Sequence, residues 1–579
     1  MKKVAAAWTA AVLVLCSGPV VLAQASGPGA GSGSVEETET GIPVTDPLTI
    51  EKCGGCHARD DKGNLSRISW SRTTPEGWSQ SIKRMVRLNG LQLSAEDARA
   101  IVKYLGTRHG LAPEEAKPVM YLVEKRIVDE AIPNEDVRQA CAACHAFAQP
   151  MSWRRSKAEW QLLQNLHVGM FSQADAQFRR TADRPPGAPP LPEGAPKVTA
   201  GQVALDYLTK NAGLHSAEWA AWQSRIRDPG IAGKWLVSAS MPGKGRFVGE
   251  MVITPGKAKD EFATAVTLTS LQDGATITRT GSGLVYAGYS WRGRSAGSGA
   301  RARGPDDAGS DAREALWIAP GQQSAEGRWY WGEYQEFGFD VKLTRASAAP
   351  ALVAVTPFAL KAGAKGVRVT LHGGNLPAGV APSDVSLGAG VTITRIVSTT
   401  PDRVVAEVDV APDAAVGNRD VQVAGAILEN AFPVFQKLDY LKVTPETALA
   451  RLGGIKFGKG YQQFEAIGFT NGLDGKPNTA DDVRVGPADV TWNIEEFASV
   501  TYDDDKKFVG ALSPTALFTP AFEGPNPARK FSRNNYGEVW VEATARTDKD
   551  KFGKPLTGRA YLVVTIPTYQ RWDQPEVSQ

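Results

Sequence analysis

The sequence predicts a multidomain protein in which an all-α N-terminal domain is followed by three antiparallel β domains. Two observations lead to this fold class. From Pro47 to about residue 228, apolar residues recur at the spacing of amphipathic helices. After about Pro229 the pattern changes to short runs of alternating apolar residues separated by turn-forming residues, which is typical of antiparallel strands. A chain of 579 residues has room for about three to five domains.

The N-terminus has the pattern of a secretory signal peptide, which we predict over residues 1–23. Lys2-Lys3 precedes an apolar run from Val4 to Leu22, and Ala23 completes a small-residue cleavage site. A retained membrane anchor is one alternative. A lipoprotein signal at Cys16 is another, but a leucine stands before this cysteine where a small residue would be expected.

Residues 24–46 are rich in glycine and serine and then acidic, which predicts a flexible leader. The full chain carries a net charge of +3, and removal of residues 1–23 takes away two lysines and no acid, which leaves +1. The sequence shows no basic stripe and no later apolar run long enough to cross a bilayer. We therefore expect neither a nucleic acid nor a membrane as a partner.

The motif C-x-x-C-H occurs twice, at Cys53–His57 and at Cys141–His145. In this motif two thiols bond covalently to one haem, and the histidine becomes an axial ligand of the iron. A zinc site or a redox-active thiol pair is the alternative, which is disfavoured because a histidine directly follows the second cysteine both times. The motifs predict two c-type haems, covalently attached at Cys53, Cys56, Cys141 and Cys144, with His57 and His145 as proximal ligands.

The use of cysteine limits the remaining chemistry. The chain has five cysteines, and cleavage of the signal peptide removes Cys16. The other four belong to the two motifs, so no thiol is left for a disulfide, a catalytic thiol or a thiol-derived cofactor. Because c-type haem is attached outside the cytoplasm, we expect the protein in the bacterial periplasm.

The two motifs belong to an internal repeat. The recurring landmarks are Trp78, Met85 and Tyr104-Leu105 in the first repeat, and Trp160, His167 and Tyr207-Leu208 in the second. Residues 47–228 are therefore predicted to form a di-haem cytochrome c domain made of two mono-haem repeats. The Pro-rich segment from Arg180 to Pro196 is an insertion in the second repeat, and we predict an extended surface loop there.

The repeat also predicts the distal ligands of the two irons. Alignment places Met85 opposite His167, which predicts His57/Met85 ligation for the first haem and His145/His167 ligation for the second. A thioether ligand raises the reduction potential relative to a second imidazole, so the second haem should have the lower potential. Two six-coordinate irons favour electron transfer over catalysis at the haem.

Other residues compete for these positions. Met170 is the serious rival of His167, because it lies three residues away on the same helix face. Met120 and Met151 are weaker candidates. The remaining histidines of the mature chain are assigned to the surface, at helix ends for His109 and His215 and in a turn for His372.

The β region is predicted as three units. Residues 229–347 should form a β-barrel or sandwich with a loop at Arg292–Gly309, residues 348–438 an immunoglobulin-like domain, and residues 439–579 a C-terminal β-sandwich. Expected strands include Phe247–Ile253, Ala263–Leu268, Leu316–Ile318, Arg328–Trp331, Val353–Pro357, Gly366–Leu371, Val404–Val408, Val421–Val423, Val490–Trp492, Ala498–Tyr502, Val539–Val541 and Ala560–Val564.

In the last unit, Asp474 and Asp481 have a spacing that could hold calcium. A turn rich in Asp, Asn and Gly is the preferred interpretation, because no bidentate glutamate follows at the required distance. The sequence contains no hydrolase, zinc-protease or phosphate-loop motif. We therefore predict no catalytic residue on this chain.

A fused di-haem cytochrome followed by three β domains resembles the α subunit of quinohaemoprotein amine dehydrogenase. The resemblance spans essentially the whole mature chain, and its most specific parts are the two C-x-x-C-H motifs and the pairing of Trp78/Met85 with Trp160/His167. It implies a β-propeller subunit and a small subunit bearing a cysteine tryptophylquinone as partners. It also implies one His/Met haem and one bis-His haem, which map onto Met85 and His167.

In that family the quinone oxidises primary amines to aldehydes and ammonia. The resemblance implies that the electrons pass through the two haems of this chain to an external cytochrome c or blue copper protein. The absence of a spare cysteine agrees with a quinone on another chain. The alternatives are a stand-alone di-haem c-type cytochrome, whose β domains serve for docking, and a di-haem peroxidase, which requires one displaceable distal ligand.

Overall fold

The computed structural model describes residues 36–120, 132–183, 192, 194, 197–298, 304–499 and 503–567. The predicted signal peptide, the first part of the leader and most of the Pro-rich insertion lie outside the described residues. Within them the chain forms a helical region followed by three β units, as the sequence predicts. No helix of the described residues is long and apolar enough to cross a lipid bilayer.

The helical region is built from short helices joined by tight loops. Those described are α1 (Pro47–Cys53), α2 (Pro75–Asn89), α3 (Ala95–Arg108), α4 (Pro113–Ala116), α5 (Glu135–Ala142), α6 (Ala148–Met151), α7 (Lys157–Met170), α8 (Ser172–Arg179), α9 (Ala200–Asn211) and α10 (Ala217–Gln223). Side-chain caps accepting a backbone N–H start most of the longer helices, at Thr74, Ser94, Asn134, Ser156 and Thr199. Helix α8 falls just before the predicted insertion and was not expected from the sequence.

Two short strands join the two haem-motif repeats. Strand β1 (Ser71–Thr73) pairs antiparallel with β2 (Trp153–Arg155), in the register Ser71 with Arg155, Arg72 with Arg154 and Thr73 with Trp153. These strands occupy equivalent positions in the repeats, because both precede the landmark tryptophan by the same number of residues. Equivalent strands paired in this way are related by a local twofold axis through the central pair, Arg72 and Arg154.

The first β unit is a closed eight-stranded antiparallel barrel, which decides between the two predicted architectures. Its strands are β3 (Gly233–Met241), β4 (Gly245–Pro255), β5 (Glu261–Ser270), β6 (Thr276–Tyr286), β7 (Ser290–Gly297), β8 (Ala312–Ile318), β9 (Ser324–Trp331) and β10 (Phe337–Arg345). Neighbouring strands pair in chain order and β10 closes onto β3. Buried aromatic side chains, among them Trp291, Trp329 and Phe339, belong to the core of this unit.

The predicted loop at Arg292–Gly309 is wrong in its first third, because residues up to Gly297 belong to strand β7. Its small residues suggested a loop, but β7 pairs along its length with both β6 and β8. The glycines make room for a large neighbour. A Cβ at Gly293 of β7 would come within 2.7 Å of Trp291 Nε1.

The second β unit consists of two four-stranded sheets, β11-β13-β16-β15 and β12-β18-β17-β14. Their strands are β11 (Ala351–Thr356), β12 (Leu360–Lys361), β13 (Val367–Gly374), β14 (Val385–Ser386), β15 (Val391–Thr400), β16 (Arg403–Val410), β17 (Gly417–Val423) and β18 (Ala426–Phe435). The two sheets enclose one apolar core. His372, expected in a surface turn, lies instead within β13, half-buried, and its Nε2 is 3.3 Å from Thr356 Oγ1.

The third β unit contains a four-stranded sheet, β20-β28-β27-β24, and two three-stranded sheets, β19-β22-β23 and β21-β26-β25. Its elements are β19 (Tyr440–Thr444), β20 (Thr447–Arg451), β21 (Gln462–Gln463), β22 (Glu465–Thr470), β23 (Val483–Pro487), β24 (Val490–Glu496), α11 (Asp505–Phe508), β25 (Gly510–Leu512), β26 (Leu517–Pro520), β27 (Gly537–Lys549) and β28 (Pro555–Thr565). The strand predicted at Ala498–Tyr502 is absent at its first two residues, and its last three lie outside the described part of the chain.

The barrel supports the first repeat of the helical region. Leu284 and Tyr286 of β6 pack in one apolar cluster with Ile101 and Leu105 of α3. In addition, Arg292 of the barrel forms a buried bidentate ion pair with Glu76 at the start of α2. The helix that carries Met85 is therefore anchored at its N-terminal end to the barrel.

Candidate haem sites

Both motif histidines present the same ring nitrogen. Nδ1 of His57 lies 2.7 Å from the carbonyl oxygen of Ser66, and Nδ1 of His145 lies 3.0 Å from that of Ala146. A carbonyl can only accept, so each Nδ1 is the donor, and Nε2 is the candidate ligand atom of each ring. A metal-bound histidine commonly has this arrangement, with the remote nitrogen as ligand and the other nitrogen bound to the backbone.

The four motif cysteines are free thiols. Cys53 and Cys141 are half-buried against the apolar clusters of their own repeats, whereas Cys56 and Cys144 are exposed. Burial raises the pKa of the Cys53 thiol, and it raises the pKa of the Cys141 thiol to about 12. One thiol against an apolar wall and one at the surface suit an apolar ring that enters from the surface, so the residues present fit a covalently attached haem.

Met85 lies on α2, two helical turns beyond Trp78, whose ring belongs to the cluster that Cys53 contacts. The Met85 side chain is half-buried, and Nδ2 of Asn89 donates to its sulfur at 3.6 Å. A thioether accepts only weakly, so the sulfur retains a lone pair that could bind iron. The structure thus places Met85 on the helix that forms part of the first site.

His167 has the matching position in the second repeat, two turns beyond Trp160, which packs with Cys141. Its Nδ1 donates to the carbonyl of Leu163 at 2.9 Å, so Nε2 is the candidate ligand atom here as well. The rings of Phe171 and Phe178 lie 5.9 and 6.3 Å from the imidazole.

Met170, the rival of His167, ends helix α7 with 59% of its surface exposed. His167 is more buried, and its backbone-bonded ring is held in one orientation. This difference favours His167 over Met170 as the distal ligand.

The hydrogen bonds that frame the two sites recur at aligned positions. Nε1 of Trp78 donates to the carbonyl of His109, and Nε1 of Trp160 donates to the carbonyl of Ala212, both at 2.9 Å. The same carbonyls accept from the backbone N–H groups of Thr73 and Arg155, at 3.0 and 3.1 Å. These equivalent contacts support the division of the helical region into two repeats.

The expected surface position of His109 is wrong, because its side chain is completely buried. Its ring makes an edge contact with Trp78, at 6.2 Å between centroids, and a tilted contact with Tyr104. Burial lowers the pKa of His109 to about 4, and the charge of Arg72 contributes in the same direction. The ring is therefore neutral at pH 7 and belongs to the core of the first repeat. His215, in contrast, is exposed as expected, and its Nε2 donates to the carbonyl of Thr40 at 2.7 Å.

A buried ion cluster lies at the junction of the repeats. Arg72 donates to both carboxylate oxygens of Glu115, at 2.8 and 3.0 Å, and Nε of Arg154 donates to one of them at 3.1 Å. The same carboxylate accepts from the hydroxyl of Ser216 and the N–H of Ala112. Burial alone would raise the pKa of Glu115, but hydrogen bonding to Arg72 and the charges of both arginines outweigh it and bring the pKa to about 2.

Sequence reasoning missed this cluster, although a signal was present. Arg72 and Arg154 precede Trp78 and Trp160 by the same six residues, so the repeat alignment superimposes them. Their common partner Glu115 lies between the repeats and has no aligned counterpart. Only the fold reveals that one carboxylate serves both arginines.

The aspartates of the loop between Asn471 and Asp482 accept hydrogen bonds from neighbouring groups. Oδ2 of Asp481 accepts from the N–H of Asp474 at 3.3 Å, and Asp482 accepts from the N–H of Gly472 and from the hydroxyl of Tyr440. Among the residues that the structure describes, no group of three or more His, Cys, Asp and Glu side chains is placed to hold a metal ion. These carboxylates accept hydrogen bonds that shape the loop.

Solved structures give weak matches, and a comparison with curated proteins gives none. A redesigned beta barrel, b11L5F_LGL, is 14% identical, covers 20% of this chain and 92% of its own, and has a TM-score of 0.17. A fluorescence-activating beta barrel of de novo design is 19% identical with 20% and 93% coverage and a TM-score of 0.16. Human protocadherin-24 EC1-2 is 9% identical with 39% and 100% coverage and a TM-score of 0.14.

Family models match four consecutive segments of the chain. Residues 44–184 match the model described as quinohemoprotein amine dehydrogenase A, alpha subunit, haem binding. The models for alpha subunit domains II, III and IV of quinohemoprotein amine dehydrogenase match residues 228–346, 349–436 and 441–577. The first segment contains both C-x-x-C-H motifs, and the other three correspond to the barrel, the two-sheet unit and the C-terminal unit. Together the four segments extend over most of the chain.

Proposed function

This chain belongs to the α-subunit family of quinohaemoprotein amine dehydrogenase, and from that membership we propose that it is the electron-transfer subunit of such an enzyme. Its partners would be a β-propeller subunit and a small subunit bearing a cysteine tryptophylquinone, where primary amines are oxidised to aldehyde and ammonia. The electrons would leave to an external cytochrome c or blue copper protein in the periplasm. We place no catalytic residue on this chain.

The observation that carries the proposal is the paired geometry of the two C-x-x-C-H motifs. Each motif histidine donates from Nδ1 to a backbone carbonyl, and the first cysteine of each motif packs against the apolar cluster that contains the tryptophan of its own repeat. We propose that Cys53 and Cys56 bind one haem covalently and that Cys141 and Cys144 bind another. When bound, each haem supplies an iron that can hold one electron.

The side chains of this chain would hold the two irons and orient their ligands. His57 and Met85 would ligate the first iron, and His145 and His167 the second. The carbonyl contacts of His57 and His167 fix the orientation of their rings and would hold each ring in place as an iron ligand. The buried pair Glu76–Arg292 fixes the start of the helix that carries Met85.

The first experiment is purification of the native protein from its host, followed by identification of the chains that copurify. A primary amine is then added, and the haem absorption bands are recorded. We expect two further chains and reduction of the haem bands by the amine. A chain that purifies alone and does not respond to amine would contradict the proposal, and a hydrogen peroxide assay would then separate a stand-alone cytochrome from a di-haem peroxidase.

A further inference from the structure

The face of the β1–β2 pair opposite the Glu115 cluster carries an uneven charge. Side chains alternate along the strands, so Arg72 and Arg154 point to Glu115, and the other positions share the second face. On this second face the second repeat places Trp153 and Arg155. The first repeat places Ser71 and Thr73 at the aligned positions, which are both neutral.

Arg155 lies against the wall of the second haem site. Its guanidinium carbon is 4.0 Å from the centroid of the Trp153 ring and 5.6 Å from that of Trp160. Both rings belong to the apolar cluster that Cys141 contacts. The positive charge therefore packs on two rings of the same apolar cluster that the thiol of Cys141 contacts.

This charge is only partly compensated. Nη1 of Arg155 donates to the hydroxyl of Ser71 at 3.0 Å, and its buried Nε has no hydrogen-bond partner among the described residues. The nearest carboxylate is Glu159, at 3.8 Å, and Glu159 is already held by Arg67 at 2.9 Å. Two guanidinium groups therefore share one carboxylate. Burial lowers the pKa of Arg155 to about 10, so the side chain remains protonated at neutral pH.

We propose that Arg155 raises the reduction potential of the haem at Cys141–His145 and so narrows its difference from the potential of the other haem. Reduction of a ferric haem adds one negative charge, and a nearby buried cation stabilises the reduced state. The second haem is the one with a predicted second imidazole and therefore a lower intrinsic potential. Arg155 packs on two tryptophans of the second repeat, whereas its bond to the first repeat is the one to Ser71, so its charge should raise the lower potential more than the higher one and make electron sharing between the two haems more even. This inference rests on the two-haem function proposed above.

The test is a spectroelectrochemical titration of the purified haem-loaded protein, with the variants R155Q and R155K. In R155Q we expect the lower-potential wave to move down, with about a tenfold shift in the electron-sharing equilibrium, or about 59 mV for one electron. The higher-potential wave should move much less. R155K keeps the charge and should stay near the wild type, which separates an electrostatic role from a packing role.

The matched control is R179Q, because Arg179 lies on α8 of the same repeat with its side chain 76% exposed. It should leave both waves in place. The inference is overturned if R155Q moves neither wave, if it moves both waves equally, or if R155K shifts the lower wave as far as R155Q does. A wild-type protein with one haem per chain would overturn the two-haem function itself, and a haem-to-protein ratio reveals that outcome separately.

Discussion

The two repeats of the helical region hold the same contacts with different side chains. In the first, the tryptophan of α2 is anchored to the carbonyl of a buried histidine, and in the second, the tryptophan of α7 is anchored to the carbonyl of an alanine. The anchoring groups are backbone atoms, so the side chains at the same positions are free to differ. The comparison teaches that hydrogen bonds to the backbone hold the two tryptophans in equivalent positions. The charged groups, the titratable groups and the predicted iron ligands of each repeat depend on its side chains.

The largest effect is expected where the repeats meet. Replacing Glu115 by alanine leaves Arg72 and Arg154 buried without their shared carboxylate, which should lower the free energy of unfolding by about 3–5 kcal/mol. Denaturant unfolding of the haem-loaded protein measures this. The control is E326A, which removes an exposed ion pair with Lys117 and should cost no more than about 1 kcal/mol. Equal losses in the two variants would contradict a stabilising role for the junction.

The next largest effect is a pH dependence of the free energy of unfolding that the first repeat causes and the second does not. His109 is buried and neutral, with a pKa of about 4 instead of about 6.5, whereas its counterpart Ala212 does not titrate. The unfolded chain takes up the proton first, so the stability is complete above pH 6.5 and falls by about 2–3 kcal/mol as the pH drops toward 4. The variant H109Q should lose this dependence. Unfolding free energies at pH 7.5, 5.5 and 4.5 test the expectation, and an unchanged slope in H109Q would refute it.

The third prediction concerns the reduction potentials of the two haems and the distal ligand of the second iron. In H167M, a thioether replaces the imidazole predicted to ligate the second iron, and we expect the lower potential to rise by about 0.1 V, or about 2.3 kcal/mol per electron. The higher potential should not change. The control M170L alters the exposed rival methionine and should change neither potential. If M170L moves the lower potential and H167M does not, Met170 is the ligand.

The smallest effect concerns the indole hydrogen bond that both repeats contain. W78F and W160F each remove one indole hydrogen bond to a backbone carbonyl, which contributes about 1 kcal/mol, together with part of a buried ring. Because the two bonds have the same length and equivalent acceptors, the losses should agree within about 1 kcal/mol, and the contact of the Arg155 guanidinium with the Trp160 ring should make the loss in W160F the larger one. Thermal or denaturant unfolding of both variants gives the comparison. A markedly larger loss of unfolding free energy in one variant would show that the two hydrogen bonds are not equivalent.

The sequence predicted what is periodic or repeated. Alternating apolar runs located eleven of the 26 strands that the structure describes in the β units, and the spacing of Trp78 and Trp160 located the equivalent helices. It failed where the residue type was misleading. The small residues of β7 suggested a loop, although they pair on both sides and leave room for Trp291. The position of His109 at a helix end suggested that it lies at the surface, although its side chain is buried in the core.

In the candidate haem sites, too, some residues follow from the sequence and others only from the fold. The candidate cysteines and histidines follow directly from the motifs, because covalent haem attachment requires this spacing. The partners of these residues could not be predicted, since Ser66 and Leu163 contribute backbone carbonyls that any residue has. Glu115 was equally invisible, because its role depends on two arginines that are distant in sequence. These contacts exist only once the chain has folded.

The antiparallel pairing of β1 with β2 has a consequence for asymmetry. A twofold contact between equivalent strands is the form in which two identical molecules associate as a dimer. Here both halves are encoded in one gene product, so a substitution in one half is not copied into the other. A serine can face an arginine, and a methionine can correspond to a histidine, across what would otherwise be a symmetric interface. A homodimer of single modules could not make that distinction, because every substitution would appear in both of its halves.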